Sequence, residues 1–426
     1  MKHTGNQVFW RAARRVGIFL IGIELAAALI IPGLSWGAFS GTATPSSGMA
    51  VSDATMPAPN GLTASANSTW STPQNVDGTN DLISVSCPTT TFCVAGASDG
   101  NALTWNGTAW SAPVPIDGNP DLSSVSCPTT TFCAAVDWGD ALTWNGTKWS
   151  VYGGVDSNGN LLSVSCPTAT FCMAVDRIGN ALSWNGTSWS TPQNVDGTND
   201  LISVSCPTTT FCVAVSPQGN AFIWNGHVWS APTPISAAEL LSVSCPFTTF
   251  CMAVDTVGDA FIWNGTSWST PQDVDGTNEL TSVSCPTAKF CMAVDNAGNT
   301  LSWSGTFWST PQNVDGTNSL GSVSCPTISF CMTVDRNGNA LSWNGGTLLN
   351  WTPPSTATDA LGYPLVSSQN ILGCFGANCS PNTVVANGLS SAATSYTSSV
   401  NDTCYAVESV SRTGSWTAVS TAVCVT

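Results

Sequence analysis

The 426-residue sequence has little charge of either sign, and very little positive charge. Charged residues make up 8% of the chain, with nine basic against 25 acidic and a formal net charge of −16. Nucleic acid and anionic membrane are poor partners for that balance. Histidine is almost absent: besides His3 there is only His227. That inventory does not support a histidine-based catalytic centre or a zinc finger. Past residue 31 no apolar run is long enough to cross a bilayer. With 42% apolar residues and so few charges, the surface must be made largely of Ser, Thr, Asn and Gly.

At the N-terminus, Lys2, Arg11, Arg14 and Arg15 precede an apolar run from Val16 to Ile31, broken by Glu24 and followed by small residues. This pattern reads as a signal peptide over 1–40; the alternative is an uncleaved anchor, for which the run is on the short side. A Ser/Thr/Pro/Ala-rich leader follows over 41–55. Removing the first 40 residues leaves five basic and 24 acidic residues, a balance of −19. The 18 cysteines, an even number, suit a disulfide-stapled chain from an oxidising compartment. The expected location is extracellular, with no membrane contact after cleavage.

The centre of the chain is one sentence repeated seven times, clearest at Leu162–Val195. Its first cysteines, Cys87, Cys127, Cys166, Cys206, Cys245, Cys285 and Cys325, are 39 or 40 residues apart, the length of a four-stranded propeller blade. Each copy supplies four β-like runs, here a to d: SVSC, FCMAVD, ALSWNG and SWSTPQ. The spacing Cys-Pro-x-x-x-Phe-Cys at the a–b turn predicts a bridge within each copy. The expected pairs are Cys87 with Cys93, Cys127 with Cys133, Cys166 with Cys172, Cys206 with Cys212, Cys245 with Cys251, Cys285 with Cys291, and Cys325 with Cys331. Each short loop constrains the unfolded chain by about 2 kcal/mol on the entropy model. At the c–d turn, Asn185-Gly186 predicts a two-residue hairpin loop with Trp184 opposite Thr187. The 14 repeat tryptophans then belong to a bulky sheet face that stacks on the small face of the next copy.

Strand d comes first, at Trp70, and the last copy lacks one. The strand of Trp70 is therefore expected to complete the blade of Cys325, Cys331 and Trp343. Strand parity puts the a–b and c–d loops on one side of the ring and the acidic b–c and d–a loops on the other. Asp137, Asp176, Asp255, Asp295 and Asp335, in the b–c loops, are the candidate ligand-binding residues, although Asp and Gly also suit tight turns. No cofactor is expected. The Asp-Gly-Thr-Asn loops offer oxygen atoms to calcium but lack the spacing of a defined calcium loop.

The SVSCP…FC…WNG…WS repeat over about 69–345 resembles the disulfide-stapled repeats of secreted actinobacterial proteins. Its closure resembles that of WD40-type propellers, and its outline is similar to seven-bladed bacterial lectins. The resemblance implies an all-β, seven-bladed propeller over 68–345. The flanks resemble a fibronectin type III domain: Trp351 takes the strand-B tryptophan position and Tyr405 falls in strand F. Strand A is found upstream, at 56–67, and the remainder at 346–426, so the propeller is expected to be inserted into the sandwich. Cys404 and Cys424 face each other in the expected F–G hairpin, and Cys374 with Cys379 closes a small loop. A sialidase-like site, which needs an arginine cluster, is opposed by the wide separation of Arg177 and Arg336. The expectation is a monomeric, non-catalytic extracellular protein that binds a glycan or, alternatively, serves as a structural platform for protein contacts.

Overall fold

The computed structural model describes residues 58–66, 69–116, 118, 122–353, 366–374, 383–390, 393, 395–398, 404–411, 417–420 and 423–424. The signal peptide, the leader and Cys379 lie outside them. Among the described residues every regular element is a strand, and no helix is long and apolar enough to cross a membrane.

Seven sheets follow the repeat. In the third copy the strands are Leu161–Thr168, Phe171–Asp176, Asn180–Trp184 and Gln193–Asn194, each antiparallel to the one before. Alternation decides what each face buries. Leu182 and Trp184 pack with Cys172 and Ala174 against Ala134, Val136 and Ala141 of the preceding sheet. Met173 and Val175, on the other face of strand b, pack against Leu201, Cys206 and Ala214 of the next. Each core layer is therefore shared by two sheets, and no sheet has a core of its own. Strand d is short because Pro192 offers no N–H, which suits an outer edge. Beside it, Ser183 N donates to Ser190 Oγ over 3.0 Å, so a side chain stands in for a ladder bond.

The c–d turn differs from the expected two-residue loop. Trp184 lies opposite Trp189, not Thr187. Asn185 Oδ1 accepts the N–H groups of Thr187 and Ser188, both over 2.9 Å, and Asn185 N donates to Ser188 O. A two-residue I′ loop needs positive φ at both positions. Here the asparagine side chain caps a four-residue turn, and Gly186 takes φ 95° within it. Six tryptophan pairs result, with ring centroids 5.8–5.9 Å apart.

All seven expected repeat disulfides are present, with Cα atoms 4.0–4.1 Å apart. Beside them runs a circuit of serines. Each strand a leaves amides pointing at its neighbour, and a serine of that neighbour accepts them. Cys127 N donates to Ser86 Oγ, Cys166 N to Ser126 Oγ, and the pattern continues to Cys325 N on Ser284 Oγ, each over 2.9–3.0 Å. Cys87 N then donates to Ser324 Oγ over 2.9 Å, linking the seventh sheet to the first. In the seventh sheet Trp70 lies opposite Trp343 and Asn75 opposite Asn339.

Two further sheets lie outside the repeat. One joins Asn60–Ala66, Thr347–Thr352 and Ser395–Ser398; the other joins Thr383–Ser390, Val366–Cys374, Cys404–Ser411, Thr417–Val419 and Val423–Cys424. Trp351, Ile371, Tyr405 and Val407 form their shared core. Trp351 Nε1 donates to Gln369 Oε1 over 2.7 Å, which satisfies both buried polar groups. Cys404 is disulfide-bonded, and the register sets it opposite Cys374 on one side and Cys424 on the other. Ala66 pairs with Thr347, while Thr69 pairs with Asn344.

Candidate functional site: the acidic loop face

Between residues 69 and 345 there are 20 acidic side chains, and the 18 among the described residues all fall at the b–c or d–a ends of the strands. Arg177 and Arg336 are the basic residues at that end; Lys148, Lys289 and His227 lie at the a–b and c–d end. Strand parity alone produces this division, because both acidic loops leave the sheet on the same side. Trp138, Val257 and Ile178 also project from the b–c loops, 62%, 48% and 37% exposed. Trp138 stands in the one b–c loop that is a residue shorter than the others, Asp137-Trp138-Gly139-Asp140.

The five aspartates expected to bind a ligand are all buried. Their carboxylates are turned into the b–c turns. Asp176 Oδ1 accepts Ile178 N over 2.9 Å and Asn180 N over 2.6 Å, while its Oδ2 accepts Asn180 Nδ2 over 2.7 Å. Asp295 and Asp335 repeat all three bonds. Asp255 Oδ1 accepts Val257 N and Asp259 N, and Asp137 Oδ1 accepts Asp140 N. The accessible carboxyls of this face are others, including Asp99, Asp200, Glu239, Asp273 and Glu279.

Each d–a loop ties two sheets together. Val274 N and Asp275 N donate to Gly258 O in the turn of the preceding sheet, over 2.9 and 3.2 Å. The Asp275 side chain instead faces Asp295, at the end of strand b in the following sheet. Asp156 faces Asp176 and Asp315 faces Asp335 in the same way. The turns leave no room for a larger residue. At Gly298, with φ 81°, a Cβ would lie 2.7 Å from Gly316 O.

Burial, reinforced by the facing carboxyl, pushes Asp275 and Asp315 up to about 7 and Asp156 up to about 6. Burial and then Asp99 raise Asp77; burial and then Asp255 and Asp273 raise Asp259. The d–a members of these pairs were not singled out from sequence. The signal was there: an aspartate five residues before strand a reaches its first leucine, as in Asp275-Gly-Thr-Asn-Glu-Leu280. Among the described residues no three His, Cys, Asp or Glu side chains gather as a metal-ligand set.

A second feature is a shallow cleft of about 400 Å³ between the second and third sheets, lined by Tyr152, Val155, Trp189 and Pro192 among others. Strand d of the second sheet, Trp149–Tyr152, is longer than its counterparts, and Tyr152 meets Trp184 edge-on with centroids 5.2 Å apart.

No family model and no curated protein matches the chain. Solved structures do. YCF48 from Cyanidioschyzon merolae aligns with a TM-score of 0.53 at 14% identity, over 64% of this chain and 99% of that one. A structure of YCF48 bound to D1 peptide gives 0.53 at 13%, over 68% and 97%. The WD40 repeats of RRP9 give 0.57 at 10%, over 68% and 99%. The fold is a β-propeller. At this identity the likeness extends to architecture alone, and the site must be read from its own residues.

Proposed function

We propose that this chain is a secreted, non-catalytic binding protein whose closed, seven-bladed propeller presents its acidic loop face to a basic protein partner. The observation that carries the reading is the charge division, with Trp138, Ile178 and Val257 exposed on the acidic side. Acidic groups steer a cationic partner, and a large exposed aromatic supplies the desolvated anchor. The YCF48 structure with bound D1 peptide lends support, since a propeller of this outline takes a peptide there. The repeat disulfides favour an extracellular setting. The propeller is carried as an insertion between strands A and B of a fibronectin type III-like sandwich. Support for that comes from the pairing of 60–66 with 347–352 directly beside the pairing of 69–70 with 343–344. Close ends are what an inserted domain requires. The test is an array of peptides spanning net charge. Binding should rise with Lys/Arg content, fall with salt, and drop on Trp138→Ala. Equal binding of neutral and acidic peptides overturns the reading.

One observation favours a second, carbohydrate-binding reading. The cleft of Tyr152 and Trp189 combines aromatic walls with Ser188, Ser190 and Thr191, the chemistry a sugar ring stacks on. A glycan array decides it: signal lost on Trp189→Ala or Tyr152→Ala supports sugar binding, and an array with no signal rejects it.

A further inference from the structure

We propose that the junctions between sheets are proton-binding sites: the pairs Asp156–Asp176, Asp275–Asp295 and Asp315–Asp335 each hold one proton between two carboxyl groups, so that acid tightens the ring and rising pH loosens it. In each pair the strand-b member already accepts three hydrogen bonds, only one of them on Oδ2. Asp335 takes Asn337 N and Asn339 N on Oδ1 and Asn339 Nδ2 on Oδ2, at 2.9, 2.6 and 2.6 Å. The loop members Asp156, Asp275 and Asp315 are 2%, 6% and 5% exposed, and the Oδ2 of each is buried without a hydrogen-bond partner. At the third sheet a glycine reports the crowding. A Cβ added at Gly159 would lie 2.6 Å from Asp176 Oδ2 and 2.7 Å from Asp156 Oδ2, so both oxygens converge on one point.

Two ionised carboxylates have only acceptors to offer each other, and burial amplifies their repulsion. A proton on the loop member turns the contact into a hydrogen bond. The ring contains its own control. Between the fourth and fifth sheets the loop position is Ser236, and its Oγ donates to Asp255 Oδ2 over 2.9 Å. The position opposite the strand-b carboxylate therefore takes an O–H donor. Serine has one at any pH; aspartate has one only when protonated.

Among the described residues no cation acts on the loop members of the pairs. Arg177 and Arg336 follow Asp176 and Asp335 in sequence, but both side chains are exposed. Apart from the facing carboxyls, the titratable group that acts on Asp275 is Asp273, which is also acidic, and none acts on Asp156 or Asp315 among the described residues. The sign follows. An unfolded aspartate titrates near 3.9. Asp156, Asp275 and Asp315 are pushed up to about 6, 7 and 7. The folded chain thus holds more protons than the unfolded chain between those limits. The stabilisation is complete in acid below the unfolded value and is lost as the pH rises through 6 to 7. Each retained proton changes the unfolding constant by up to roughly tenfold per pH unit between those limits.

The test uses the full mature chain and the triple variant Asp156→Ser, Asp275→Ser, Asp315→Ser, which copies the Ser236 junction. Infrared spectra of the wild type at about pH 5.5 should show the carbonyl band of neutral carboxylic acid, absent at pH 9 and clearly weaker in the variant. The wild-type urea midpoint should fall from pH 5 to 8, and the variant midpoint should be flatter. A wild-type chain with no such band, or a midpoint that rises with pH, overturns the proposal. So does a wild-type midpoint at pH 8 that calcium raises and a chelator lowers, since the pairs would then be metal sites. If the variant does not fold, the wild-type band and slope still decide.

Discussion

Ser324→Ala removes one oxygen atom from the bond between the seventh and first sheets. Ser324 Oγ accepts Cys87 N over 2.9 Å, and Cys87 is 6% exposed. Alanine leaves that amide without its acceptor in a place water reaches poorly. The cost of a buried, unsatisfied N–H is roughly 1–3 kcal/mol, and loss of a single hydroxyl adds little cavity. Ser205→Ala is the matched control. Ser205 Oγ accepts Cys245 N over 2.9 Å, and Cys245 is 7% exposed. Chemistry, distance and burial are the same; the two differ in that Ser205 joins sheets adjacent in sequence. A closed ring requires equal losses. The assay is urea unfolding with the disulfides intact, followed by fluorescence of the paired tryptophans. A loss for Ser205→Ala with none for Ser324→Ala would mean that the first and seventh sheets do not meet in solution. No loss for either would mean that the serine circuit does not hold the ring.

Other outcomes are expected. Non-reducing peptide mapping should return Cys87–Cys93 through Cys325–Cys331, and it should join Cys404 to Cys424; a Cys374–Cys404 bridge would show that the second bridge falls on the other side of strand Cys404–Ser411. A chain joining Ala66 to Thr347 by a short Gly-Ser link should fold as the sandwich alone. If it fails while 347–426 folds cooperatively, the insertion reading is wrong. Incubation with polysaccharides should release no new reducing ends; turnover dependent on a specific aspartate would make the protein an enzyme. Gly298→Ala should cost at least 1 kcal/mol, because it forces a Cβ into positive φ and against Gly316 O.

The repeat made the sheets legible because period and alternation are local properties. Cys-Pro-x-x-x-Phe-Cys is short enough that only a hairpin turn can join its ends, so the bridges within each repeat were readable. The c–d turn was misread because Asn-Gly is ambiguous: asparagine can adopt positive φ itself or cap the turn with its side chain, and here it caps. The aspartates expected in the b–c loops stand at the ends of strand b, and sequence cannot show which way a carboxylate points. Asp176 points into its own turn, while Glu239 points outward. The carboxyl pairs were hidden for another reason. Asp275 and Asp295 are 20 residues apart and belong to different sheets, and only the stacking of sheets brings them face to face.

The proposed binding surface is the acidic face. Calorimetry with the strongest Lys/Arg-rich peptide from the array tests it most directly, on three forms of the protein. These are the wild type, an acidic-face variant (Asp200→Asn, Glu239→Gln, Glu279→Gln) and an opposite-face variant (Lys148→Gln, Phe307→Ser). The wild type and the opposite-face variant should bind with equal affinity, and the acidic-face variant should lose tenfold or more, about 1.4 kcal/mol. Unchanged binding to the acidic-face variant, with loss in the opposite-face variant, would contradict it.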